Sequence, residues 1–138
     1  MTRDKALYYR AGYKYQVTRD YHIKIAILGL TINLQFVSLD EFGKLIIKSG
    51  YAWNGASGPT WDTKNSMTGS LIHDVGYQLI RLGHLDEKYK EYFDQILHDI
   101  CTEDGMWSWR ADWWRWAVLN FGIGSCKPSA EPPEQCAP

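Results

Sequence analysis

Polar and apolar residues alternate along two stretches in the first third of the chain, residues 13–23 and residues 31–37. Alternation with a period of two, carried by β-branched and aromatic side chains, predicts half-buried strands. The run Asp40-Glu41-Phe42-Gly43 is typical of a turn and leads into an apolar segment at 44–48, so residues 31–53 are expected to contain a hairpin. The pattern predicts a small N-terminal antiparallel sheet over about residues 8–53.

Glycine, asparagine, serine and proline mark residues 53–62 as a loop, and after it the apolar residues recur at helical spacing. Three helices are therefore predicted between about residues 66 and 122. The first helix is expected to be capped by Asn65 or Ser66 and to stop at Gly83. The second is expected to start after Asp86 and to stop at Gly105. The third is expected to be capped by Ser108 and to reach Phe121. The predicted fold class is α+β, a sheet followed by three helices.

Composition favours one domain, because 138 residues with 45% apolar side chains suffice for a single core. We expect this domain to span residues 1–125 and an extended proline-rich tail to follow at 126–138. The 15 basic and 16 acidic side chains nearly cancel, so no nucleic-acid partner is expected. No signal-like segment opens the chain, and a location in the cytoplasm is expected. Three cysteines are too few for a disulfide scaffold; Cys101 is expected to be a buried thiol.

The candidate chemistry lies on the first two predicted helices. His73 and Tyr77 are one turn apart on one helix face, Asp74 follows His73, and Asp94 lies beside the apolar stripe of the second helix. Histidine is the natural general base near neutral pH, and a carboxylate is a hard oxygen ligand for Ca²⁺ or Mg²⁺. We predict that His73 and Asp94 approach within hydrogen-bonding reach. The alternatives are a structural His73 bonded to a backbone carbonyl, with Asp74 in solvent and Asp94 at the surface.

Tryptophan is concentrated in the third predicted helix, where arginines accompany it. Spacing predicts that Trp109, Trp113 and Trp116 fill the core, since so small a domain needs large core side chains. Tryptophan next to arginine also suits a partner surface or a membrane interface. The residues assigned to such a surface are Trp107, Arg110, Trp114 and Arg115.

Four sequence blocks between residue 50 and about residue 127 resemble a family of small tailed-phage and prophage proteins of unknown function. The blocks are Gly-Tyr-Ala-Trp-Asn-Gly-Ala-Ser-Gly-Pro, Leu-Ile-His-Asp-Val-Gly-Tyr, Phe-Asp-Gln-Ile-Leu and Trp-Arg-Trp-Ala-Val-Leu-Asn-Phe-Gly. That family usually has Asp where this chain has Asn54. The resemblance implies a viral origin, expression in an infected bacterium and possible association with phage structural proteins, but no activity.

A second, local resemblance is to the core of phospholipases A2, in which a glycine-rich loop precedes His-Asp-x-x-Tyr on a helix and an Asp on the next helix. It implies that His73 activates water, Tyr77 supports it and Asp94 orients it. It also implies Ca²⁺ as the cofactor. The implied calcium ligands are Asp74 and the loop residues Asn54, Gly55 and Gly58.

The sequence thus leads to two hypotheses. One is a phage-encoded, metal-assisted hydrolase, in its more specific form a lipid esterase acting on the host envelope. The other is a non-enzymatic phage structural or partner-binding protein, in which the same residues form a buried polar network. A bound cation and an open cleft would favour the first hypothesis.

Overall fold

A computed structural model describes residues 2–10, 15–55 and 62–127 of the chain. It divides into two compact units, Met1–Gly55 and Ala56–Pro138. Strands lie in the first unit and helices in the second, which confirms the α+β class. That residues 1–125 form one domain stays a prediction.

The first unit contains two antiparallel sheets where one was predicted. Their orders are β1-β2-β7 and β3-β6-β5-β4. The strands are β1 Tyr9–Arg10, β2 Tyr15–Val17, β3 Tyr21–Lys24, β4 Ile32–Asn33, β5 Val37–Leu39, β6 Lys44–Ile47 and β7 Ala52–Trp53. The alternating stretch predicted at 13–23 contains two strands, β2 and β3, and these belong to different sheets.

The pairing of β5 with β6 confirms the predicted hairpin and its turn. Asp40 Oδ1 accepts the backbone N–H of Phe42 and of Lys44, both at 2.9 Å. Gly43 follows with a φ of +86°, a backbone conformation that residues other than glycine rarely adopt. The prediction of one strand over residues 31–37 is wrong: β4 ends at Asn33, and Leu34 N–H bonds to Val37 O at 2.8 Å as the chain reverses.

The second unit has the three predicted helices, α1 Met67–Arg81, α2 Lys90–Glu103 and α3 Ser108–Phe121. Short 3₁₀ turns occupy Lys64–Ser66, Glu87–Tyr89 and Ile123–Cys126. Gly83 and Gly105 follow the first two helices with positive φ, as their predicted role requires. The cap of α3 is Trp107, one residue before the predicted Ser108.

Two glycines allow α1 and α2 to pack closely. A Cβ at Gly76 would overlap the ring of Phe93, and a Cβ at Gly69 would lie 2.7 Å from Cys101 Sγ. The Cys101 thiol is buried and free, as predicted. Because Gly69, His73 and Gly76 recur at helical spacing, the close approach turns His73 toward α2. None of the helices in the described part of the chain is long and apolar enough to cross a membrane.

Candidate functional site

The centre of the candidate site is the carboxylate of Asp94, which is fully buried on α2. His73 Nε2 lies 2.8 Å from Asp94 Oδ1, and the Tyr77 hydroxyl donates to the same oxygen at 2.5 Å. Lys90 Nζ donates to the other oxygen, Oδ2, at 2.6 Å. The predicted approach of His73 and Asp94 is therefore confirmed.

Helical periodicity explains why His73, Tyr77 and Asp94 meet. His73 and Tyr77 are four residues apart on α1, and their ring centroids lie 3.9 Å apart with planes inclined by 43°. Asp94 lies on the face of α2 that meets α1, next to the fully buried Phe93. Both helices thus place their polar residues at one level of an otherwise apolar interface.

Lys90 is the member of this cluster that the sequence interpretation missed. Its ammonium group is almost fully buried, and besides Asp94 it donates to Val118 O on α3 at 3.1 Å. The sequence did contain a signal, because Lys90 and Asp94 have the i,i+4 spacing of a helical ion pair. The lysine joins all three helices, since it bonds to α2 and α3 and lies 5.6 Å from the centre of the Tyr77 ring on α1.

The hydrogen bond to Asp94 assigns the tautomer of His73. A carboxylate only accepts hydrogen bonds, so Nε2 carries the proton, and in the neutral ring Nδ1 holds the lone pair. Nδ1 lies 3.7 Å from Asp74 Oδ1, too far for a direct hydrogen bond. The Asp74 side chain is 32% exposed, against 8% for His73. The basic nitrogen therefore faces the more accessible carboxylate.

Burial and charge have opposite effects on the pKa values of His73 and Asp94 but act in the same direction on the pKa of Tyr77. Burial alone would lower the pKa of His73, but the adjacent carboxylates of Asp74 and Asp94 outweigh it and raise that pKa above 6.5. Burial alone would raise the pKa of Asp94, but hydrogen bonds from His73, Lys90 and Tyr77 hold it below 3.8. Burial and the Asp94 carboxylate raise the pKa of Tyr77, which keeps its hydroxyl a donor.

These shifts give a stability profile with two slopes. Asp94, with its lowered pKa, contributes stability that is present above about pH 3.8 and is lost as pH falls through the folded-state value. His73, with its raised pKa, contributes stability that is complete below pH 6.5 and is lost as pH rises through the folded-state value. Urea unfolding measured from below pH 3.8 to above pH 6.5 should give the greatest free energy of unfolding at mildly acidic pH. In His73→Gln the alkaline decline should be smaller, and identical profiles above pH 6.5 would contradict the assignment.

Two of the other predicted calcium ligands, Asn54 and Gly55, do not lie in the unit that contains Asp74. Asn54 and Gly55 end the first unit, and Gly58 is outside the described residues. Within residues 2–10, 15–55 and 62–127, no three His, Cys, Asp or Glu side chains group as they would around a metal ion. A site made of one carboxylate and backbone carbonyls would not form such a group. Calcium ligation by Asp74, Asn54, Gly55 and Gly58 stays a prediction.

The predicted faces of α3 are wrong for most of its tryptophans. Trp114 is buried at 2% exposure, whereas Trp109, Trp113 and Trp116 are 60%, 39% and 47% exposed. Trp107 is exposed as predicted, at 72%. Trp109, Trp113 and Trp116 share one face of the helix, as their spacing indicated, but that face is exposed and is not the inner one. The small Ala111 and Ala117, three residues either side of Trp114, are buried and mark the inner face.

The two arginines assigned to a surface make contacts inside the helical unit. Arg110 is buried, and its Nη1 donates to Thr63 Oγ1 at 2.8 Å. Arg115 is half-buried, and its Nε donates to Gln95 Oε1 at 2.7 Å. The exposed face of α3 therefore carries aromatic side chains. Arg110 and Trp114, which were predicted to lie on it, are buried.

Comparison of the chain with known protein families, with curated proteins and with solved structures finds no match.

Proposed function

We propose that this chain is a phage-encoded, metal-assisted hydrolase of lipid esters that acts on the host envelope. The observation that carries the proposal is the bond between His73 Nε2 and the buried Asp94 carboxylate. This bond fixes the ring and leaves Nδ1 as the basic atom, as general-base activation of water requires.

In the proposed reaction, His73 Nδ1 takes a proton from a water molecule as that water attacks the ester carbonyl. Asp94 holds the imidazole and stabilises the imidazolium that forms, while Tyr77 fixes the same carboxylate oxygen. The raised pKa of His73 makes it a stronger base once deprotonated. The protonated His73 can then return its proton to the departing alkoxide.

Asp74 is the proposed protein carboxylate for a divalent cation. It is partly exposed and adjoins the base, and its hard oxygen atoms suit Ca²⁺. The further calcium ligands Asn54, Gly55 and Gly58 are assigned from the resemblance to phospholipases A2 alone. Bound Ca²⁺ would polarise the ester carbonyl and stabilise the negative charge that develops on its oxygen.

The exposed aromatic side chains of α3 support a lipid substrate. Trp109, Trp113, Trp116 and Phe121 are all exposed, and Trp113 and Trp116 stack with ring centroids 5.0 Å apart. Tryptophan side chains favour the level of the lipid head groups, where the indole ring contacts both polar and apolar groups. A phage origin is proposed from the four sequence blocks described above.

Ca²⁺ is expected to bind the wild-type protein and to support hydrolysis of phosphatidylethanolamine and phosphatidylglycerol vesicles. The ion should raise the melting temperature, because a ligand that binds only the folded state stabilises it. Asp74→Asn should abolish both the heat of binding and the stabilisation, measured by calorimetry. Asp99→Asn on the exposed side of α2 is the control and should bind normally. Absence of Ca²⁺ or Mg²⁺ binding at millimolar concentration would overturn the metal role.

The second candidate function is a non-enzymatic phage structural or partner-binding protein. The favouring observation is that Lys90 occupies the second oxygen of Asp94, so three donors surround one buried carboxylate. Such a saturated network rigidifies a helical interface without any need for a substrate. In this function His73 is a structural donor, and its loss changes stability alone.

A further inference from the structure

The first unit contains a cavity that the proposed hydrolase does not use. It has a volume of about 380 Å³ and lies on the exposed face of the sheet that contains β3 and β6. Residues 2–4 extend this sheet, because Lys24 N–H bonds to Thr2 O at 2.7 Å and Asp4 N–H bonds to His22 O at 2.8 Å. The volume falls within the range of small-molecule sites, about 300–1,000 Å³.

Two lysines face each other directly in this cavity. Lys24 on β3 and Lys44 on β6 are cross-strand partners, and both side chains are exposed. Like charges at directly opposed positions destabilise a sheet. Neither ammonium group has a hydrogen bond or an ion pair within the described part of the chain. An anion between the two lysines would relieve their repulsion.

The two carboxylates of the cavity are already engaged elsewhere. Asp4 Oδ2 lies 2.9 Å from His22 Nδ1 and accepts the His22 backbone N–H at 2.7 Å. Asp40 Oδ1 accepts two backbone N–H groups of the β5–β6 turn. These bonds tie one oxygen of each acid to local structure, and among the described residues neither acid is paired with Lys24 or Lys44.

One aromatic side chain completes the cavity. Phe42 is 69% exposed and lines the same cavity as the lysine pair. We propose that this cavity binds a small molecule bearing a phosphate next to a planar ring. Lys24 and Lys44 hold the phosphate, and Phe42 packs against the ring. The site is independent of the hydrolase proposed above.

Nuclear magnetic resonance titration of the full chain with phenyl phosphate tests this proposal. Backbone amide signals of residues 2–4, 22–24 and 40–44 are expected to shift. Inorganic phosphate should bind at least about fivefold more weakly, because it lacks the ring contact, and phenol should not bind measurably. Lys24→Gln with Lys44→Gln should weaken phenyl phosphate binding at least about fivefold. Phe42→Ser should bring phenyl phosphate to the affinity of inorganic phosphate.

The matched control is the double variant Lys64→Gln with Lys88→Gln. It replaces two exposed lysines of the second unit and removes the same total charge. This control should bind phenyl phosphate as the wild type does. Equal weakening in both double variants would overturn the proposal, since net charge alone would then explain binding. Absence of shifts at millimolar phenyl phosphate would overturn it as well. So would binding to phosphatidic acid vesicles without binding of phenyl phosphate, because a lipid surface would then be the ligand.

Discussion

Asp94→Ala is expected to lower the free energy of unfolding by about 3–5 kcal/mol, the cost of removing one partner from a buried ion pair. The variant leaves the Lys90 ammonium group buried with only Val118 O as acceptor. It also removes the acceptor of His73 Nε2 and the nearest acceptor of the Tyr77 hydroxyl. Urea unfolding of both proteins near neutral pH measures the difference.

Asp99→Ala supplies the control, because Asp99 lies on the same helix with about half of its side chain exposed. It should cost less than about 1 kcal/mol, as is usual for exposed charge pairs. If Asp94→Ala does not fold, Asp94→Asn keeps the shape of the side chain and is expected to show a smaller loss. Equal small losses at residues 94 and 99 would show that the buried cluster adds little to stability.

His73→Gln is expected to reduce vesicle hydrolysis at least about 10²-fold if His73 activates water, since general-base catalysis typically contributes that much. Glutamine can still donate to Asp94, so the fold should persist. The measurement is fatty acid release with Ca²⁺ present, run beside denaturant unfolding of each protein. His84→Gln removes an exposed histidine at the end of α1 and should leave the rate unchanged.

The same pair of measurements separates the two candidate functions. If wild type hydrolyses no lipid ester and His73→Gln loses about 1–3 kcal/mol of stability, the glutamine has not replaced the buried hydrogen bond of His73 and a buried group is left unsatisfied. The enzyme proposal then fails and the structural network stands. A fall in rate with little change in stability supports the base role of His73.

Local patterns in the sequence were enough to identify most of the cluster. His73 and Tyr77 share a helix face because of their four-residue spacing, and Asp94 adjoins the apolar stripe of the next helix. Glycine signals also placed the ends of the first two helices correctly. These features depend on backbone geometry within a few residues, which a single sequence records directly.

The sequence analysis failed where the outcome depended on which distant residues pack together. The shared face of Trp109, Trp113 and Trp116 indicated the wrong core side of α3, and close packing buried Trp114 instead. The assignment of β2 and β3 to different sheets depends on partners such as β7, which lies more than thirty residues from β2 along the chain. Alternation tells which side of a strand is apolar, but it does not choose the neighbouring strand.

The sequence by itself determined the α+β class, the ends of the first two helices and the candidates His73, Tyr77 and Asp94. Only the tertiary structure showed that Asp94 is completely buried and that Lys90 and Val118 O complete its surroundings. Helical spacing places side chains on a face, whereas burial and the third helix follow from packing between helices. The charge state of the cluster therefore depends on long-range contacts that no local pattern contains.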